Sequence, residues 1–236
     1  NAATGANDDV SIVTTGAGDI TVVDVSATGD GVTGATITLT TADGNILDDG
    51  SDTTFISAGA ANVAINLTTG VAGNIGLNSG GGAIPLNFLD ISRTFAPTVN
   101  LVVGGTEVYL NFLNGAMVSS DFGALPGGLT AIGIGVTGND FTFDDETFGT
   151  AADANAFNLD VIANNILLSS DVLTVNDIEI NTTGNVLLRA ATGTITDTSD
   201  GNQALDIDAG SIDLDATTGI GTTGAIDIRT TTVSAD

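Results

Sequence analysis

The chain has no cysteine, histidine, lysine or tryptophan, and each absence removes a class of chemistry. Without Cys and His there is no ordinary zinc site, no thiol nucleophile and no Ser-His-Asp triad. Without Lys there is no Walker-type phosphate loop, no Schiff base and no Lys–Asn cross-link. Zero cysteines also exclude disulfides, so stability must come from burial and backbone pairing. Proline occurs 3 times in 236 residues, as expected where most backbone N–H groups are paired with a neighbouring strand. Long unbroken apolar runs are missing, so no transmembrane helix is predicted. No signal peptide is visible and the first residue is Asn1, which reads as a processed product or an excised piece.

Cations are almost missing too. Arg93, Arg189 and Arg229 face 29 acidic residues, for a net charge of −26. Nucleic-acid affinity comes from neutralising phosphates with Lys and Arg, so nucleic acid and anionic membrane surfaces are excluded as partners. The acids favour solubility and repel other acidic surfaces. They also supply hard oxygen ligands suited to calcium.

Gly, Thr and β-branched residues are abundant, and helix-period windows are absent. Period-two alternation recurs instead: "TITLT" (36–40), "VAINLT" (63–68), "ALDIDA" (204–209), "SIDLDA" (211–216) and "AIDIR" (225–229). Turn residues punctuate these segments about every ten residues. Many short strands fit a sandwich, a barrel or a parallel β-helix. The short strands, scarce proline and internal repetition favour the last. The expected fold is all-β, a right-handed parallel β-helix (β-solenoid) of roughly a dozen coils of about 20 residues, 50–60 Å long. Ile37, Leu39, Val63, Ile65, Leu67, Leu205, Ile207, Ile212, Leu214, Ile226 and Ile228 are the predicted inward residues.

The repetition is long-range. "ADGNILDDGSDTTFISAG" (42–59) parallels "ATGTITDTSDGNQALDIDAG" (191–210), and "INLTTGVAGNIG" (65–76) parallels "IDLDATTGIG" (212–221). Ile46 then matches Ile195, and Ile75 matches Ile220. A unit of about 145–150 residues is inferred. On this reading residues 1–83 are solenoid coils and 158–236 repeat part of them. Residues 84–157 hold all three prolines and eight of the nine phenylalanines. They are expected to form a wider or irregular part of the same solenoid, with aromatic stacks between coils.

"GNIGLNSGGGAIPLNFLDI" (73–91), "GGTEVYLNF" (104–112) and "GNVLLRAATGTITD" (184–197) resemble repeats of filamentous-haemagglutinin-like large exoproteins and giant bacterial surface proteins. The resemblance implies a right-handed parallel β-solenoid that projects from a cell surface or forms an extracellular filament. It carries over no catalytic residues.

Three acidic stretches are candidate calcium sites: Asp48, Asp49 and Asp52; Asp144, Asp145 and Glu146; and Asp197 with Asp200. None fits the EF-hand loop or the Gly-Gly-x-Gly-x-Asp nonapeptide. The competing reading is Asx-turns, in which Asp accepts from a backbone N–H two residues on. The expected function is a structural and adhesive segment of a long extracellular or cell-surface repeat protein, without catalysis or an obligatory cofactor. Its expected partners are neighbouring repeats or copies stacked end to end, and host-cell or matrix glycans. Alternatives are a calcium-stabilised surface-layer or matrix protein, a polysaccharide-acting β-helix enzyme using Asp144 and Asp145, and a flat threonine face that binds ice or mineral.

Overall fold

A computed structural model describes residues 9–27, 34–51, 53, 55–59, 63–78, 87–122, 126–143, 158–168, 180–197, 206–221 and 225–235. Every strand pair among them is parallel, and partners lie one coil apart in sequence. The chain is a parallel β-solenoid, the fold that the short strands, scarce proline and internal repetition favoured. One column runs its full height. Ile20, Ile46, Ile75, Val108, Ile132, Leu159, Val186, Ile212 and Val233 stand on one another at nine levels.

The steps in that column run from 21 residues (Ile212 to Val233) to 33 (Ile75 to Val108). The expected dozen coils of about 20 residues are therefore corrected to fewer, longer coils. Eight steps of about 4.8 Å make a body about 40 Å tall, shorter than expected. The turn signals every ten residues mark the sides of a coil, and a coil has three. Thr36–Thr41, Ile46–Asp48 and Ile56–Ala58 make one such circuit; Ile207–Ala209, Ser211–Ala216 and Gly219–Ile220 make another.

The outline changes along the axis. In the lower coils Ile20–Val22 and Val25–Ala27 are separate strands, as are Ile46–Asp48 and Ile56–Ala58. Glu107–Leu113 joins the two positions in one strand. Its Val108 stands on Ile75, while Leu110 and Phe112 stand on Leu89 and Ile91. Ala131–Val136, Asn158–Ala163, Asn185–Ala190 and Ser211–Ala216 keep the joined form above it.

Burial follows the period of two. Ile37, Leu39, Val63, Ile65, Leu67, Ile207, Ile212 and Leu214 are all buried in one continuous core. Each such side chain contributes roughly 1.5–3 kcal/mol before entropy is subtracted. Ile226 is only partly buried against that core. Ile228 departs from expectation. It stands on Ile207 yet is 37% exposed, because no described strand pairs above it. Leu205 lies outside the described residues.

The long-range echo relates different sides of the coil. Ile46 and Ile75 belong to the full-height column, whereas Ile195 and Ile220 stack on each other above Ile166. Ile65 sits in the four-stranded sheet and Ile212 in the nine-stranded one. The unit of stacking is the single coil.

Corners bring successive coils closest together. A Cβ on Gly70 would lie 1.4 Å from the Ala42 carbonyl oxygen, and one on Gly44 2.2 Å from that of Gly18. Only a residue without a side chain fits there. Threonine hydroxyls close the same corners: Thr14 donates to Gly18 O (3.0 Å), Thr41 to Gly44 O, and Thr69 to Gly73 O (2.6 Å).

Candidate functional site

Two of the acidic candidates lie in one turn. Asp48 ends the strand Ile46–Asp48, and Gly50 takes a left-handed φ of 82° just after it. Asp48 Oδ1 accepts the Gly50 amide at 2.7 Å, and Asp49 Oδ1 accepts the Ser51 amide at 3.1 Å. Both carboxylates thus act as Asx-turn acceptors. Burial pushes the Asp48 carboxyl above the usual range; its backbone partners oppose this and the Asp49 charge adds to it. Asp52, Asp144, Asp145, Glu146 and Asp200 lie outside the described residues. Among the described residues, no three acids gather into a metal-ligating group.

Asp197 has a different setting. It stands above Leu168, which stands above Phe143, so this aspartate occupies a core column and is buried. Asp206 is buried as well and accepts the Asp227 amide of the next coil at 2.7 Å. Burial pushes Asp206 up to about 7, the Asp227 amide pulls it down, and the charges of Asp197 and Asp227 raise it.

All three arginines pair with an aspartate of an adjoining coil. Arg93 is buried, bonds the carbonyls of Ala116 (3.3 Å) and Pro97 (3.1 Å), and pairs with Asp121. Arg189 Nη2 reaches both oxygens of Asp160, at 3.0 and 3.2 Å. Burial raises the Asp160 carboxyl in spite of that guanidinium. Arg229 pairs with Asp208, its register partner, at an exposed position. The sequence showed no signal for these pairs beyond the arginines' scarcity. The three cations are spent on joining coils.

The aromatic segment divides between the inside and the outside of the coil. Phe112 and Phe122 meet edge to face at 5.6 Å, and Phe141 and Phe143 at 4.8 Å, all within the core. Phe88 and Tyr109 lie 5.2 Å apart and are buried outside that core cluster. Tyr109 leans over Gly133, where a Cβ would lie 2.4 Å from its ring. A second apolar layer therefore covers part of the nine-stranded sheet's outer face. Beside it runs a polar ladder: Asn111 Nδ2 donates to Asp90 (2.8 Å) and Thr137 donates to Asn111 Oδ1 (3.0 Å). Phe95 is 42% exposed, and Phe148 and Phe157 lie outside the described residues.

The outer face of the four-stranded sheet is of another kind. Its strands are Val10–Thr14, Thr36–Thr41, Ala64–Thr69 and Thr98–Val102. One outward row is Ser11, Thr38, Asn66 and Asn100; the next is Val13, Thr40, Thr68 and Val102. A third holds Thr36, Ala64 and Thr98. None of these outward residues is ionisable. The acid at the lower edge, Asp9, accepts from the Thr36 amide (2.8 Å) and hydroxyl (2.9 Å). Asn100 donates to Asn66 at 2.9 Å, and Asn66 donates to Thr38 at 3.4 Å, forming an amide ladder across the coils. Thr98 and Val102 are exposed and the middle of the face is half-buried.

No family model, curated protein or solved structure matches the chain significantly. The resemblance to large exoprotein repeats thus rests on the quoted motifs and on the parallel solenoid.

Proposed function

We propose that this chain is a structural and adhesive segment of a long extracellular repeat protein that forms a rod or filament at a cell surface. The observation that carries this reading is the column of nine stacked apolar residues from Ile20 to Val233. Such stacking is quasi-one-dimensional, and each coil needs only its neighbours. The first and last described levels each offer an open parallel edge. Ile12 is 38% exposed at one level and Val233 52% at the other, although both stand on core columns. A further coil, from a neighbouring repeat or a stacked copy, covers such an edge. The acid coat keeps neighbouring rods apart and hydrated.

Electron microscopy of the native material tests the reading. Continuous rods are expected. Compact, separate particles would overturn it.

A further inference from the structure

We propose that the uncharged outer face of the four-stranded sheet is an attachment surface for a neutral, polyhydroxyl polymer, a polysaccharide chain lying across the coils. The proposal rests on the adhesive half of the reading above. The structural half stands or falls separately, by microscopy.

Charge is the first argument. The chain carries 29 acids, yet the three outward rows named above hold none, and Asp9, at their lower edge, is held on the Thr36 amide and hydroxyl. Elsewhere the coat faces out: Asp213 and Asp215 are both exposed on the nine-stranded sheet. An anionic polymer is repelled by the molecule as a whole, and a cationic one is drawn to the acidic sides. Only an uncharged partner meets its match on this face.

Chemistry is the second. Most outward groups here are hydroxyls and amides, in rows repeating about every 4.8 Å. An amide offers both a donor and an acceptor, and a threonine hydroxyl offers both as well. That set suits the paired hydroxyls of a sugar chain. Val13 and Val102, 58% and 59% exposed, end one row and give apolar contact for C–H groups.

Size is the third. Four strands of about five residues cover roughly 300 Å², well under the roughly 800 Å² per partner of a stable protein interface. A second copy or a folded protein is too large a partner for the patch. A polymer strand gains strength from repetition along a filament instead.

The test is cosedimentation of the whole chain with insoluble cellulose, β-1,3-glucan and chitin, beside calcium-free polygalacturonate gel and ice. Retention by at least one neutral polymer and none by the acidic gel is expected. Thr98→Asp, at an exposed site, and Asn66→Asp, in the centre, should each weaken retention about tenfold or more. Asp213→Asn, on the acidic side, should leave it unchanged. Melting curves of the three variants confirm that they fold, and Thr98→Asp keeps the test alive if Asn66→Asp does not. Failure to bind any of the neutral polymers overturns the proposal, as does retention on ice alone, or retention that both charged variants leave intact.

Discussion

In Ala64–Thr69, Ile65 and Leu67 face inward while Asn66 and Thr68 face out. In Ser211–Ala216, Ile212 and Leu214 face inward while Asp213 and Asp215 face out. The inward pairs do the same work, stacking on equivalents above and below. The outward pairs differ because the neighbours differ. Asn66 bonds Thr38 and Asn100 in an uncharged ladder. Asp215 stands beside Arg189 in register, and Asp213 beside Leu187. A solenoid thus fixes its interior coil by coil and leaves each side free to take its own surface.

The largest effect separates a buried ion pair from an exposed one. Arg93→Met should cost about 3–5 kcal/mol, because Asp121 loses its guanidinium partner, keeping only the Val118 amide, and the carbonyls of Ala116 and Pro97 lose the Arg93 donor. Arg229→Met should leave the urea midpoint where it was, since its side chain is 67% exposed. Equal effects would mean that the two regions do not differ in the way described.

Next come the cores. Leu67→Ala should cost about 3 kcal/mol, and Leu214→Ala less, because only Ala235 stands above Leu214 and it is exposed. Gly70→Ala should cost about 2–3 kcal/mol by forcing coils apart, while Gly18→Ala, with open space at its Cβ, should cost under about 1 kcal/mol. Thermal or urea melts of the two pairs give the ordering.

The upper coils also carry a buried acid whose titration bears on stability. Asp206 holds its proton more tightly folded than unfolded, its folded value being about 7 against 3.8. Its contribution is fully present below about pH 4 and is lost as the pH rises through 7. The melting midpoint should therefore fall between pH 5 and 8, and Asp206→Asn should flatten that fall. A midpoint that rises with pH over this range would contradict the assignment. The smallest effect concerns the turn acids. With Asp48 and Asp49 accepting the Gly50 and Ser51 amides, EDTA should leave the melting midpoint unmoved, and a drop of several degrees would favour calcium at one of the acidic stretches.

Alternation alone located the inward residues of "TITLT", "VAINLT" and "SIDLDA", because a period of two places them on one face whatever the wider fold. It could not show how many sides make a coil. A clearer signal lay in the corners. Gly18-Asp19-Ile20, Gly44-Asn45-Ile46, Gly73-Asn74-Ile75, Gly184-Asn185-Val186 and Gly210-Ser211-Ile212 all end on the full-height column. The physical reason is a ladder: Asp19 accepts the Asn45 amide at 2.7 Å, Asn45 that of Asn74 at 2.9 Å, and Asn74 that of Thr106 at 3.0 Å. Asn158 does the same for Asn185 at 3.1 Å. Coil length hid the triplet, because steps vary and Val108, Ile132, Leu159 and Val233 lack it.

The arginine pairs and the outward Phe88–Tyr109 layer were illegible for another reason. Each joins residues whose proximity depends on the number of residues per coil, as Arg93 and Asp121 show across 28 positions. The uncharged sheet face is likewise invisible strand by strand. Only stacking places Asn66 against Asn100 and Thr38.

Disulfide mapping tests the parallel register most directly, since the chain has no cysteine of its own. Neighbouring residues on adjacent parallel strands lie within disulfide reach. Asn66→Cys with Asn100→Cys, and Leu187→Cys with Asp213→Cys, should each cross-link on mild oxidation, because both pairs are register partners. Asn66→Cys with Asp213→Cys should not cross-link within one chain. Efficient bridging of that last pair, with none in the first two, would contradict the stacking on which both surfaces depend.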